Sequence, residues 1–294
     1  MTQPVFWLNG RITSAGEALL PLTDHGLLYG DGVFEGIRFY NRTPFRLHAH
    51  LQRLTLSARA LMLTLPFDLE TMTAAVNEVI EAFSDADGYI RLVATRGCGG
   101  LGLDPSHCEQ SNLFLIADRM ALTNEKQRHS GIKLITASTR RPGPTVLDPR
   151  IKSLNYLNNI LAKLEARQAG ADEALLLNER GYVTEGTAEN IFIVQDGRLL
   201  TPPVSDGALD GITRGILLEL CQQLGLEAQE HSLTPYDVHT ADACFLCGTG
   251  AEIIPVCSLD GRSLPHCPGP IGLQLQQAFG RLIEVETGTV IGNR

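Results

Sequence analysis

The chain has 294 residues, 44% of them hydrophobic and 19% charged, with a formal net charge of -9. That length allows two domains, each with its own core, and the composition is ordinary for a soluble globular enzyme. The acidic balance, with no compensating basic block, argues against a nucleic-acid partner, and no apolar run reaches membrane-spanning length.

No secretory signal precedes the first strand-like run, and seven cysteines without framework spacing read as reduced thiols of a cytoplasmic protein. Residues 5–8 and 11–13 flank Asn9-Gly10, which predicts a hairpin with a two-residue turn. After Gly30-Asp31-Gly32, residues 33–40 read as a strand that sets Phe34, Gly36 and Arg38 on one face. The glycine between two large side chains leaves room for something to approach, so this face is either a pocket floor or a bulge at an edge. Residues 46–63 predict a helix with Leu47, His50, Leu51, Leu54, Ala58 and Leu61 in its stripe. Arg53 lies beside that stripe, as a solvated helix arginine or as a two-pronged anion ligand. A second helix is expected at 68–83 and a strand at 88–95. The glycine-rich loop 96–105 opens no helix and carries no Gly-Lys-Ser/Thr, so it does not read as a phosphate loop. Its Leu101 and Leu103 suit a pocket lid or a subunit contact. A strand at 111–117 closes a first domain, residues 1–118.

Residues 119–130 are polar and read as a linker, and 131–294 as a second domain opening with a strand at 132–138. Residues 140–149 hold three prolines and a glycine, the composition of an irregular loop. Leu154, Leu157, Ile160, Leu161 and Leu164 then mark one buried face of a helix over 154–169. Lys152 stands where the loop enters that helix. Burial there would disfavour its charge and lower its pKa, which suits an amine that attacks a carbonyl. The plain alternative is a surface lysine whose stem lies along the helix start. Strands follow at 173–177, 181–184 and 191–194, with Glu185 and Glu189 in the polar turn between the last two, as turn decoration or as working carboxylates. Gly211 and Thr213 begin a helix whose Ile216, Leu217, Leu220, Cys221 and Leu224 point inward. Its start offers free amides, the positive dipole end and a hydroxyl to an anion, or is simply capped. After a strand at 241–246, Thr249 between two glycines is a second candidate phosphate ligand. Cys244 and Cys247 form a lone Cys-x-x-Cys on a strand, with no second pair for zinc and no helix N-terminus, and read as structural. A last helix is expected at 269–283.

Six stretches carry a resemblance. Leu28-Tyr29-Gly30-Asp31-Gly32-Val33-Phe34-Glu35-Gly36-Ile37-Arg38, His50-Leu51-Gln52-Arg53, Lys152-Ser153-Leu154-Asn155-Tyr156, Thr184-Glu185-Gly186 with Glu189-Asn190, Gly211-Ile212-Thr213-Arg214 and Gly248-Thr249 resemble, in order, the motifs of the fold-type IV pyridoxal-phosphate enzymes. The best match is to the branched-chain amino acid aminotransferases, and it runs essentially end to end. The resemblance implies a two-domain α/β (α+β) architecture like that of D-amino-acid aminotransferase: a small N-terminal α/β domain and a larger cofactor-binding domain with a β-barrel-like core. It implies pyridoxal 5'-phosphate held by Lys152 as a Schiff base, with the freed amine then carrying the proton between the substrate α carbon and the cofactor's C4'. Glu185 would pair with the pyridine nitrogen and Tyr156 with the phenolic oxygen. Arg53, the amides of Ile212 and Thr213, the Thr213 hydroxyl and Thr249 would hold the phosphate, since a buried phosphate needs several donors.

By the same resemblance Tyr29, Phe34, Gly36, Arg38, Tyr89, Arg91, Thr249 and Gly250 contact substrate. The loop of Leu101 and Leu103 would come from the partner subunit of a homo-oligomer whose active site lies at the dimer interface. The expected reaction moves an amino group between L-leucine, isoleucine or valine and 2-oxoglutarate, with ping-pong kinetics and no metal. An alternative is a transaminase of relaxed specificity toward D-amino acids or (R)-amines, motivated by the absence of tyrosine from residues 120–124. Aminodeoxychorismate lyases are also similar but usually carry threonine where Gly36 stands.

Overall fold

A computed structural model describes residues 3–120 and 125–289; the tyrosine-free residues 121–124 lie outside them. The chain divides into two compact units. Unit 1 comprises Met1–Met120, Ile151–Asn155 and Ile283–Arg294, and unit 2 comprises Ala121–Arg150 and Tyr156–Leu282. The stretch carrying Lys152 therefore packs with unit 1, although it follows the segment read as a linker.

Unit 1 is built on six strands: β1 (Val5–Leu8), β2 (Arg11–Thr13), β3 (Gly32–Tyr40), β4 (Thr43–Pro44), β5 (Gly88–Thr95) and β6 (Asn112–Asp118), in the order β2-β1-β6-β5-β3-β4 and all antiparallel. The expected hairpin joins β1 to β2, with Asn9 and Gly10 both at positive φ (47° and 104°), the backbone that a two-residue primed turn requires. Three helices complete the unit: α1 (His25–Tyr29), α2 (Leu47–Ala60) and α3 (Leu69–Ala82). Asp68 caps α3, accepting from the Thr71 amide at 2.8 Å. Val33, Ile37 and Phe39 of β3 join Ile90 and Leu92 of β5, and Leu51 and Leu54 of α2, in one buried cluster. Strand alternation sends the even positions the other way. The register pairs Phe34 with Val93, Gly36 with Arg91 and Arg38 with Tyr89, and directly paired residues share a face. That second face gathers the predicted substrate residues.

Unit 2 contains a mixed sheet of nine strands: β7 (Ile132–Arg140), β8 (Glu173–Leu177), β9 (Val183–Glu185), β10 (Asn190–Gln195), β11 (Arg198–Thr201), β12 (Ala228–Glu230), β13 (Ala243–Gly248), β14 (Glu252–Leu259) and β15 (Arg262–Ser263). It curls as a half-barrel in the order β12-β11-β10-β13-β14-β7-β8-β9, with β15 on β14. Among the described residues six helices accompany it: α4 (Glu125–Ser130), α5 (Pro144–Leu147), α6 (Leu157–Gln168), α7 (Ile212–Leu224), α8 (Pro235–Thr240) and α9 (Pro270–Thr287), the last of which belongs to unit 1 from Ile283 on.

Several local expectations change. The residues 125–130 read as linker are helical, and the irregular loop 140–149 holds the short α5, with Pro144 in its first turn, where proline's missing N–H costs nothing. The helix after Lys152 begins at Leu157, not at 154, and its stripe faces the other way. Leu157, Ile160, Leu161 and Leu164 are exposed, while Asn159, Ala162 and Ala166 are buried. The alanines pack with Ala137, Ala174 and Leu176 of β7 and β8. Small side chains let the helix lie close on the sheet, so the bulkier leucines are left on the outer side.

Candidate functional site

In unit 1, Lys152 is held as part of the sheet. Ser153 bridges Val33, the Phe34 amide donates to the Lys152 carbonyl at 2.9 Å, and the Leu154 amide donates to the Gly32 carbonyl at 2.9 Å. The Lys152 amide donates to the Ser57 hydroxyl of α2 at 3.2 Å. Its backbone is therefore fixed between β3 and α2, and the half-buried side chain lays its ammonium over the Phe34 ring, 4.6 Å from the centroid. The Arg91 guanidinium also lies over Phe34, at 4.6 Å, and 5.6 Å from the Tyr89 centroid. Gly36 is what makes room: a Cβ there would come within 1.8 Å of the Tyr89 hydroxyl. Phe34, Gly36, Tyr89, Arg91 and Lys152 thus form one aromatic floor with two cations on it. Arg38 shares the face but lies over Tyr40 at 5.7 Å and donates to the Met120 carbonyl at 3.4 Å.

The glycine-rich loop 96–105 is tied down at its middle. Tyr29 donates through its hydroxyl to the Leu101 carbonyl, and a His25 ring nitrogen meets the Gly100 carbonyl at 2.9 Å. The side chains of Leu101 and Leu103 are nonetheless about 80% exposed.

Arg53 is not a solvated helix arginine: it makes a two-pronged contact with a carboxylate of its own unit. Its Nε donates to Glu35 Oε1 at 2.7 Å and its Nη2 to Oε2 at 2.8 Å, while His50 Nδ1 meets Oε2 at 2.8 Å. Glu35 is fully buried. Burial alone would raise its pKa, but the Arg53 charge and the hydrogen bonds from His50 and Arg53 override that and hold it at about 2. Burial pushes the His50 pKa down, aided by the charges of Arg53 and Lys152, and the bond to Glu35 only partly opposes this. The neutral imidazole that results donates from Nδ1. Sequence reading left Glu35 without a role and placed His50 among apolar residues. The available signal was a carboxylate at a core-facing strand position, opposite a His and an Arg three residues apart on one helix face.

Unit 2 gathers the other predicted residues. Glu185 is buried; its Oε1 pairs with Arg141 Nη2 at 2.8 Å, and its Oε2 accepts from the Leu209 amide at 2.9 Å and from Asn190 Nδ2 at 3.4 Å. Asn190 also donates to the Leu209 carbonyl at 2.9 Å, which ties Glu185 to the start of α7. There Gly211 is the N-cap, with no side-chain cap, and a Cβ on it would lie 1.9 Å from Asn190 Oδ1. The amides of Ile212 and Thr213 begin this helix, and Thr213 is buried. Cys247 pairs in register with Asn190, and the turn of Gly248, Thr249 and Gly250 follows it, with the Cβ position of Gly248 only 3.4 Å from the Ala188 carbonyl. Tyr156 stands at the N-cap of α6, and in that helix's first turn Asn159 accepts from Arg141 Nη1 at 2.8 Å and donates to the Thr187 carbonyl at 2.7 Å. Arg141 and Asn159, which sequence reading did not single out, and Asn190, which it quoted in a motif without a role, hold this half together.

Three further carboxylate and thiol features complete the unit. Glu173 accepts from Lys163 Nζ at 2.6 Å and from the Thr187 amide at 3.3 Å. Burial, and next the Glu173 charge, raise the Glu189 pKa to about 7. Cys244 and Cys247 are buried free thiols whose pKa burial pushes far up, so neither is a nucleophile. Among the described residues no group of three His, Cys, Asp or Glu is placed to hold a metal ion, and no helix is long and apolar enough to cross a membrane.

A phosphorylated pyridine carboxaldehyde asks for an amine, a buried carboxylate and a backbone anion site. Unit 1 holds an amine, Lys152, and unit 2 separately holds a buried carboxylate, Glu185, and an uncapped helix start at Gly211. Glu185 is already anchored by a cation and an amide, and Gly211 has no space for a side chain. The chain matches the family model described as amino-transferase class IV over residues 32–259. It is 36% identical over 290 residues to the branched-chain-amino-acid aminotransferase of Pseudomonas aeruginosa, covering 96% of this chain and 94% of that one. The crystal structure of the Escherichia coli branched-chain amino acid aminotransferase superposes with a TM-score of 0.93 at 34% identity, covering 96% and 95% of the two chains. The branched-chain amino acid aminotransferase of Thermobaculum terrenum, in its PLP-bound holo form, superposes with a TM-score of 0.86 at 33% identity, covering 96% and 94%.

Proposed function

The chain belongs to the class IV aminotransferase family, and from that premise we propose that it transfers the amino group between branched-chain L-amino acids and 2-oxoglutarate with pyridoxal 5'-phosphate as cofactor. The observation that carries the reading is Lys152, its ammonium over Phe34 on a floor where Gly36 leaves room for the Tyr89 hydroxyl and Arg91 lies alongside. An apolar floor with one arginine suits both an aliphatic side chain and the distal carboxylate of glutamate.

When bound, the cofactor supplies the electron sink that lets an amino acid lose its α proton. Lys152 would hold the cofactor covalently, and its amine would serve as the general base and acid for that proton. Glu185 would set a fixed negative charge toward the pyridine nitrogen and favour its protonated form. Arg141 and the Leu209 amide stop that carboxylate from turning away. Tyr156 would donate to the phenolic oxygen. Arg53, the α7 amides of Ile212 and Thr213, the Thr213 hydroxyl and Thr249 would hold the phosphate, and Tyr29, Arg38, Tyr89 and Gly250 would complete the substrate contacts. The protein works as a cytoplasmic homo-oligomer in which the exposed Leu101 and Leu103 wall off the partner's pocket.

The test is a half-reaction. Adding L-leucine to the holo protein shifts absorbance from the aldehyde to the amine form of the cofactor, and 2-oxoglutarate reverses the shift. Lys152→Ala abolishes both. A comparable shift with D-alanine or (R)-1-phenylethylamine would replace this reading with a transaminase of relaxed specificity, and pyruvate release from aminodeoxychorismate with a lyase.

A further inference from the structure

We propose that Glu35 is a positioning residue for cofactor phosphate, acting through Arg53. The inference rests on the proposed function. Its geometry is that of a clamp. The carboxylate of Glu35 is fully buried, takes two parallel bonds from one edge of the Arg53 guanidinium at 2.7 and 2.8 Å, and takes a third from His50 Nδ1 at 2.8 Å. A bidentate pair fixes the plane of a guanidinium as well as its position. A single bond would leave it free to swing. Arg53 otherwise hangs on a long stem, and its side chain is only 13% exposed, so its orientation is set by what it meets inside the unit.

The clamp also joins the Lys152 support. Glu35 follows Phe34, whose amide holds the Lys152 carbonyl, and Arg53 precedes by one helical turn the Ser57 that accepts from the Lys152 amide. One strand residue thus links the anion-binding arginine to the strand segment that presents the amine. Neutralising a cation that must bind phosphate looks counterproductive. It follows from burial: a guanidinium with no compensating charge in this position would be costly when no phosphate is present. The ionised Glu35 keeps Arg53 in place, and His50, as a neutral donor to that carboxylate, adds a bond without adding charge.

The test measures equilibrium affinity of the full-length protein for pyridoxal 5'-phosphate and for pyridoxal, which lacks the phosphate. Glu35→Gln is expected to weaken the phosphorylated form by about tenfold or more, one charge-assisted contact, while pyridoxal affinity stays at the native value. Arg53→Ala should show the same selective loss, and the double variant no more than either single one, because both changes act on one interaction. Glu35→Asp keeps the charge, and so the fold, but draws the carboxylate back by one methylene; it should show a smaller loss confined to the phosphorylated form. An equal loss of both forms in Glu35→Gln or Glu35→Asp, or native affinity for both, overturns the inference, since a merely structural role cannot discriminate the two ligands. A native chain that binds neither form at Lys152 overturns the proposed function and this inference with it.

Discussion

Glu35 in unit 1 and Glu189 in unit 2 are both buried glutamates beside motif residues, and their surroundings drive them in opposite directions. Glu35 meets Arg53 and His50, which overcome the burial that would raise its pKa and hold it near 2. Glu189 is raised to about 7, first by burial and then by the charge of Glu173. The local balance of charge explains the difference. In unit 2 three carboxylates, Glu173, Glu185 and Glu189, lie close together, with Lys163 paired to the first and Arg141 to the second. No ion pair of Glu189 is found among the described residues, and it keeps its proton up to near neutrality. Burial alone therefore says little about whether a carboxylate is a working charge; the cations within its reach decide.

The largest effect should come from breaking the unit 2 pairing where it matters for chemistry. Glu185→Gln leaves Arg141 buried against a neutral amide. Removing one partner of a buried ion pair costs about 3–5 kcal/mol of stability. The loss of a fixed charge at the pyridine nitrogen should lower kcat/KM by on the order of 100-fold, about 2.7 kcal/mol of barrier. Steady-state kinetics and thermal unfolding check the two parts. Native kinetics in Glu185→Gln would remove Glu185 from the machinery.

A smaller effect, and one of opposite sign, is expected at Glu189. Its folded pKa lies above the ordinary value of 4.5. Stability from the protonated form is therefore fully present below about pH 4.5 and is lost as pH rises through about 7. Glu189→Gln mimics the protonated carboxyl at every pH. It should match the native protein at pH 5 and exceed it at pH 8, by on the order of 2 kcal/mol. Glu35 runs the other way, with its stabilisation present above pH 4.5 and lost as pH falls toward 2. Melting curves of Glu189→Gln and native protein between pH 5 and 8 that stay parallel would mean that Glu189 is ionised throughout.

Most of the architecture was legible because it rests on period and turn chemistry. Asn9-Gly10, the alternation of β3 and the stripes of α2 and α7 are local signals, and the six motifs pointed to Lys152, Glu185 and the turns at Gly211 and Thr249 as candidates. What was not legible depends on partners distant in sequence. Nothing near Lys152 reveals that residues 151–155 lie along β3 rather than beginning a helix, since the strand lies more than a hundred residues earlier. Glu35 looked like one letter of a motif until α2 brought His50 and Arg53 against it. Arg141 fell in a proline-rich loop, and its role appears only when β9 sets Glu185 beside it. The short strands β11, β12 and β15 have two to four residues each, too few for a periodic signal to form.

The face of α6 offers the smallest effect and the cleanest separation of period from packing. Periodicity finds the leucine stripe but cannot say whether it is covered, because a helix with alanines on the opposite side can bury either one. The structure buries Ala162 and Ala166, at 0% exposure, and leaves Leu164 at 46%. Ala166→Leu should then force the helix off β7 and β8 and cost about 1–3 kcal/mol, the usual penalty of overpacking. Leu164→Gln should change stability by no more than about 0.5 kcal/mol, as an outward substitution does. Urea unfolding of the two variants decides between the faces. If Leu164→Gln is the costly one, and its cost falls away on dilution of native protein and variant alike, then a second copy of the chain covers the stripe, because stability conferred by association depends on concentration while packing within a subunit does not.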